Sequence, residues 1–402
     1  MMSYLTRQSA ICLLGMTAFT FVSSCKKKSE EKPGEVIQET VDPKLALRIE
    51  ILNTYSDIAF ASYEDALLDA KNLESRIGIF MANPAEWSLN EAKLAWKESR
   101  ITYGQTEAFR GCDGPIDNSE GPEGFINGWP MDEAYVDYVL DGTQTDTLFV
   151  GIINDVASYP KIDTTVLINA AINAPGEKSI ATGYHAIEFL LWGQDFYEDS
   201  PGKRSFTDYT TLRNATRRGQ YLKAAAHQLV KDLTYVTRQW DPSVSDNYRT
   251  QFLKKANVPN NILYVIENMG LMSKDEFAGE RIRVALEGKD QEDEHSCFSD
   301  NTHIDIQMNA KGMQNVYLGS YARKYGTAIK GKGLVDLVAS VNPNLSKEAS
   351  ARIESAVQNS KQIPAPFDQA IKSDPGGYIA GTIAGWEGFS DAIAAAVIEL
   401  KK

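Results

Sequence analysis

The chain has 402 residues, 43% of them hydrophobic and 24% charged, and carries a formal net charge of −13. An acidic balance of this size argues against binding to nucleic acid or to an anionic lipid surface. The length exceeds what one compact core holds, so two domains are expected. Cysteine use is sparse, at four residues.

Residues 1–24 read as a targeting signal. Arg7 gives a short basic start, and residues 11–22 are apolar but too few to span a bilayer as a mature helix. Val22-Ser23-Ser24-Cys25 resembles the lipobox of bacterial lipoproteins, which implies cleavage before Cys25 and acylation of its thiol. A plain secretory signal cut nearby is the alternative. Residues 25–43 are charged, carry Pro33 and Pro43, and suit a flexible tether. No other stretch reads as a transmembrane helix.

Helical periodicity dominates the rest. Residues 45–80 place apolar side chains at helical spacing, and Asn83-Pro84 stops the run. Ser88-Leu89-Asn90-Glu91 reads as a capping box opening a helix that runs to about Phe109. Residues 111–130 are rich in Gly, Pro and Asp and form a loop. Further helices are predicted over residues 131–140, 150–157, 166–174, 179–192, 208–239, 246–269 and 274–286, and strand alternation is absent. In the C-terminal third, residues 333–341, Asn342-Pro343 and a helix from Ser346 to Phe367 echo the N-terminal pattern. The predicted fold is therefore all-α. It consists of helical-bundle domains over 44–240 and 241–402, related by duplication if the echo is real.

Two constellations carry chemistry. Gly183-Tyr184-His185-Ala186-Ile187-Glu188 places His185 and Glu188 one helical turn apart inside an apolar run. Such a pair can share a metal ion, act as base and orienting acid, or simply satisfy itself in a core. The second lies between Glu276 and His303. It holds Glu280-Arg281, and then Glu292, His295, Ser299, Asp300 and His303 with two carboxylate-x-x-His spacings. That spacing builds metal sites when projected inward from helices, but a solvated acidic turn is the alternative. Cys112 and Cys297 can form one disulfide or stand as two buried thiols.

With these motifs in order, the chain resembles imelysin-like proteins of the bacterial envelope. The likeness rests on Gly183-x-His185-x-x-Glu188, Gln105-Thr106-Glu107-Ala108-Phe109-Arg110, Asp113-Gly114-Pro115-Ile116-Asp117 and Glu120 through Pro130. It extends to Glu280-Arg281 and to Asp290 through His303, and covers about residues 45–400. The resemblance implies an all-helical fold of two bundles with a site between them, an envelope location and a link to iron uptake. It also implies a proposed metallopeptidase activity with His-x-x-Glu as the metal site.

Zincins need a second helical histidine, and here Phe189 follows Glu188. The preferred expectation is therefore a lipid-anchored protein of the outer membrane, on its periplasmic face or at the cell surface, that binds a metal ion or metal-bearing ligand. Fe and Zn are the leading candidates, and iron-transport components the expected partners. His185, Glu188 and Glu107 would be metal ligands. Arg110 and Arg281 would hold an anionic part of the ligand, and Asp113, Asp117, Glu280, His295, Ser299, Asp300 and His303 would complete the binding site. The alternatives are a metallopeptidase, and a structural or polysaccharide-binding lipoprotein in which Trp129, Tyr135, Tyr138 and Trp192 stack on a sugar or haem.

Overall fold

The computed structural model describes residues 42–402. The signal, the Cys25 lipidation and all but the end of the tether therefore lie outside the described residues. The helices that frame the site are labelled in chain order. Asp42 starts α1 (Pro43–Ala82): its carboxylate accepts the Lys44 N–H at 3.0 Å, and Pro43 fits the first turn because its φ is preset. Asn83 before Pro84 ends the helix, as predicted. Helix α2 (Glu86–Tyr103) opens three residues before the expected start. Ser88 sits inside the first turn, where its hydroxyl accepts the Ala85 N–H at 3.1 Å. The last turn of α2 tightens into a 3-10 segment, Gly104–Phe109.

Several predicted helices shorten. The 131–140 and 150–157 segments each keep one turn, Glu133–Val136 and Gly151–Asn154. Asp137 leaves the first of them to receive two buried arginines: Arg218 at 2.6 Å and Arg204 at 2.9 Å. Helix α3 is Gly183–Trp192 and α4 is Ala215–Trp240. The 246–269 segment splits into Tyr248–Phe252 and α5 (Val258–Leu271), because Pro259 can enter only a first turn. A π-helical stretch, Met272–Arg283, continues from α5. Helix α6 is Thr302–Leu318 and α7 is Pro343–Ser360. The C-terminal helix does not reach Phe367 as predicted. Pro364 and Pro366 follow its end, and Phe367 opens a separate α8 (Phe367–Ser373). Helix α9 is Tyr378–Leu400.

The fold is all-α. The strands among the described residues are two two-residue antiparallel ladders, Val139–Leu140 with Thr147–Leu148 and Ser320–Tyr321 with Ile329–Lys330. α1 packs against α2, α4 and α5, while α9 packs against α5, α7 and the π-helical stretch. Tyr55, Phe109, Trp240 and Phe252 meet edge-on or tilted at 5.2–6.5 Å between centroids. Burial of each such ring contributes about 1.5–3 kcal/mol. Residues 42–402 pack as one compact unit.

A polar clasp joins the second hairpin to α1. Asp65, fully buried, accepts from the Tyr321 hydroxyl (2.8 Å), the Arg323 guanidinium (2.7 Å) and the Lys324 N–H (2.9 Å). Asp69, one turn on, accepts from Lys324 Nζ (2.8 Å), the Tyr325 hydroxyl (2.7 Å) and the Thr102 hydroxyl (2.8 Å). Two buried carboxylates are tolerated here because their acceptor sites face donors. No helix among the described residues is long and apolar enough to cross a membrane.

Candidate ligand-binding cleft

Every residue of α3 is buried. Gly183 opens it at φ 86°, and a Cβ there would stand 2.4 Å from the Ile126 carbonyl oxygen, so the motif's glycine is a steric requirement. The Trp96 indole N–H donates to the Tyr184 carbonyl at 2.9 Å and locks the helix to α2. This rigid frame holds His185 and Glu188, both 0% exposed.

His185 Nδ1 lies 2.9 Å from Glu188 Oε2. The other carboxylate oxygen, Oε1, accepts the Ser299 N–H at 3.0 Å and the Ser299 hydroxyl at 2.6 Å. The ring of His185 packs against Trp129 and His295, each 4.8 Å between centroids. Its Nε2 has no hydrogen-bond partner. Burial, reinforced by the neighbouring His295 and Arg100, pushes the imidazole well below its usual value. Burial also pushes the Glu188 carboxyl up to about 8, against the opposing Ser299 donors. Both shifts disfavour charge, so the pair is held uncharged at neutral pH. Loss of one proton from the pair, with the Glu188 proton passing to Nδ1 and the Nε2 proton leaving, gives a carboxylate that accepts from Nδ1–H and a lone pair on Nε2. That is the arrangement in which a carboxylate orients a ligating imidazole.

Behind His295 lies a buried network that the sequence did not reveal. Arg100 Nε donates to Asp305 at 3.1 Å, its NH1 donates to Asn127 Oδ1 at 2.6 Å, and its NH2 lies 3.4 Å from His295 Nδ1. Asp305 also accepts from the Ser296 hydroxyl. Although burial opposes it, Arg100 and His295 hold Asp305 far below the ordinary carboxylate range. Burial, with Arg281 second, pushes His295 down to about 4.

His295 opens onto a cleft of about 540 Å³, whose wall includes Arg110, Glu123, Asn127, Trp129, Lys178, Glu276, Glu280, Arg281, Glu292 and Asp293. Of the residues singled out from sequence, Arg110, Trp129, Glu280, Arg281, Glu292 and His295 line it. Glu107 sits behind the wall, 1% exposed, and is taken by the arginines: Arg281 NH2 at 2.5 Å and Arg110 NH1 at 3.0 Å. Against the effect of burial, these two cations bring Glu107 down to about 2. The expected shell of His185, Glu188 and Glu107 is not assembled. Among the described residues no three His, Cys, Asp or Glu side chains stand together in metal-binding geometry. The charges of Arg110 and Arg281 are likewise matched by carboxylates, while Arg110 Nε is buried without a hydrogen-bond partner. Arg281 donates to Glu276, Asn309 and Glu107, and Arg110 pairs with Glu107, Glu276 and Glu123.

Other expected site residues serve elsewhere. Asp117 accepts the Gly111 and Gly114 N–H groups, and with Asp113 at φ 48° it shapes the 111–117 loop outside the cleft wall. Ser299 positions Glu188. Asp300 turns to the opposite side of the 294–300 segment, where its carboxyl meets Asp195, near Asp368 and Glu294. Both Asp368 oxygens and Glu294 Oε1 are buried there without a hydrogen-bond partner. His303 is half-buried near Lys97.

Cys112 and Cys297 are both free and buried, so the disulfide alternative is excluded. Cys112 lies beside Tyr55 and Asn268, while Cys297 belongs to the segment that caps Glu188. Burial pushes the Cys112 thiol up to about 12, so it is unreactive while folded. Unfolded, unreduced protein beginning at residue 26 is expected to give two free thiols per chain with Ellman's reagent; a result of zero would contradict the fold at both positions.

Compared with known proteins, the family model described as Imelysin (Peptidase_M75) matches residues 59–382, a span that includes every cleft residue. The chain belongs to the imelysin family. This imelysin-family chain is 25% identical over 380 residues to iron-regulated protein A of Synechococcus elongatus, covering 92% of this chain and 87% of that protein. A crystal structure of an iron-regulated protein A precursor from Parabacteroides distasonis has the same fold. Its TM-score is 0.68 at 17% identity, covering 90% of this chain and 97% of that one. An imelysin-like protein from Psychrobacter arcticum is also similar, with TM-score 0.56 at 13% identity, covering 90% and 95%. These likenesses establish the imelysin fold for the chain.

Proposed function

We propose that this chain is a cell-envelope protein serving iron supply, and that it binds a metal-bearing small ligand in the cleft beside His185. One observation carries the reading: the fully buried His185 leaves Nε2 without a partner while its ring rests on two residues of the cleft wall, Trp129 and His295. A buried polar atom of this kind costs about 1–3 kcal/mol unless a ligand satisfies it. Neutral imidazole nitrogen suits Fe, Zn or Mn. With Glu107 and Glu188 committed to other partners, the available donors are His185, His295 and the unpaired carboxylates of Glu280, Glu292 and Asp293; among the described residues no three of them stand together, so the remaining positions fall to the ligand's own atoms. A chelated metal fits that donor set better than a bare ion. The iron link comes from the relatives named iron-regulated protein A. The lipid anchor at Cys25 and the outer-membrane location belong to the same proposal.

Peptide hydrolysis has less support. A hydrolytic site needs a carboxylate free to take a proton from water, and both Glu188 oxygens are engaged by His185 and Ser299. The donors of Arg281 are spent on carboxylates and Asn309, so it offers no oxyanion stabiliser.

Calorimetric titration of residues 26–402 with Fe(III), Fe(II), Zn(II) and Mn(II), alone and as small chelates, tests the reading. One site is expected, with a proton released on binding because Glu188 ionises as Nε2 is taken. His185→Ala and His295→Ala are expected to weaken it about 100-fold or more. Unchanged affinity in both variants, or no binding by the wild type, overturns it.

A further inference from the structure

The cleft has a sign as well as a shape. Arg110 and Arg281 are shared among three carboxylates, those of Glu107, Glu123 and Glu276. The same wall carries Glu280, Glu292 and Asp293, which have no ion-pair partner among the described residues, and Lys178 is the cation left to offset them. Carboxylates therefore outnumber fixed cations by three. Partial enclosure by the wall, followed by repulsion from Asp290 and Asp293, raises Glu292, and Lys178 opposes the shift. A concave wall of one sign concentrates ions of the other.

A second, independent observation marks this wall as a ligand site: the unpartnered Nε2 of His185, 0% exposed, whose ring packs on two of its residues. Trp129 adds an aromatic surface of the kind that favours cations.

We infer that the cleft selects a ligand of net positive charge, such as a cationic metal complex or an amine-rich chelate, and excludes anionic polycarboxylate chelates. The inference rests on the cleft being the binding site proposed above, yet it can be tested without any bond to histidine. Hexaamminecobalt(III) is trivalent and coordinatively saturated, so it reads charge without a bond to histidine, while Fe(III)–EDTA is an anionic polycarboxylate chelate.

Residues 26–402 are titrated with each probe at about 20 and 200 mM salt, where screening differs strongly. The cobalt probe is expected to bind at one site. Its affinity should fall with salt and should drop about tenfold or more in Glu280→Gln/Glu292→Gln. Fe(III)–EDTA should not bind. Both substituted side chains are exposed, so the variant is expected to melt like the wild type, which thermal denaturation checks. A control variant, Glu348→Gln/Glu399→Gln, removes the same charge far from the cleft wall and should keep the affinity. Binding of Fe(III)–EDTA as tightly as the cation, no cobalt binding, or equal loss in the control overturns the inference. If cobalt binds while every metal with open coordination positions fails, the charge selection stands and the histidine-ligation reading falls.

Discussion

Replacing Arg100 with methionine is expected to lower stability by about 3–5 kcal/mol, the cost of stranding a buried charge whose partner has been removed. Arg100 is 1% exposed. Its guanidinium carbon lies 5.0 Å from the Tyr184 ring centroid and 5.5 Å from that of Tyr103, with Asp305 and Asn127 at its donors. Methionine fills much of the same volume, so the loss is electrostatic rather than a cavity effect. Asp305 would keep the Ser296 hydroxyl, His295 Nδ1 at 3.5 Å and a long contact to the Asn301 amide at 3.4 Å. The double variant Arg100→Met/Asp305→Leu should recover a large part of the loss, because no charge remains to be desolvated. Urea unfolding gives both numbers. A single-variant loss under about 1 kcal/mol would mean that Asp305 is hydrated. His295 leans on the same pair, so the single variant should also weaken the cleft's ligand.

The second large effect is a fall in stability as pH rises from about 5 to 9. Glu294 is pushed up to about 9 by burial and by Asp368, and Glu188 up to about 8 by burial. Burial first, and then neighbouring carboxylates, raise Asp195, Asp300 and Asp368. Unfolded carboxyls titrate near 4. At these carboxyls the folded chain therefore holds more protons than the unfolded chain between about pH 4 and 9, and their contribution to stability declines as pH rises through that window. Each pKa unit is worth about 1.4 kcal/mol for an independent buried group. On the acid side the depressed His185 and His295 act in the other direction: the unfolded chain binds their protons below about 6.5, and stability declines as pH falls. The optimum is thus expected near pH 5–6.5. Asp368→Asn removes one charge from the cluster and should flatten the alkaline limb. Thermal melts at half-unit steps of pH check this; a level profile from pH 6 to 9, or a steeper one in the variant, would refute it.

Much of the frame was legible because helices announce themselves locally. The end of α1 at Asn83-Pro84, the buried α3 and the near absence of strands follow from residues within a few positions of each other. The polar wiring was not legible, because it is made between positions far apart in sequence. Arg100 and Asp305 are 205 residues apart, and Glu107 and Arg281 are 174 apart. One sign was available: Arg100 occupies a buried position in the stripe of Ala92, Trp96 and Tyr103, where an arginine must have a hidden partner. The arginines beside the motifs looked like anion binders because sequence shows their charge and not the carboxylates that neutralise it. Helix ends failed where an acid had other work, as at Asp137, or where proline sat downstream, as at Pro364.

The clasp on α1 bears on how the chain reaches this fold. Asp65 is buried in the first long helix, yet all its donors lie 256–259 residues later. Until Tyr321, Arg323 and Lys324 arrive, that face of α1 has a bare carboxylate in place of a finished core. Contacts of such separation are closed late and slow assembly. A chain emerging from its N-terminus thus meets its last requirement only when four-fifths of it is present, and until then that face of α1 stays unfinished.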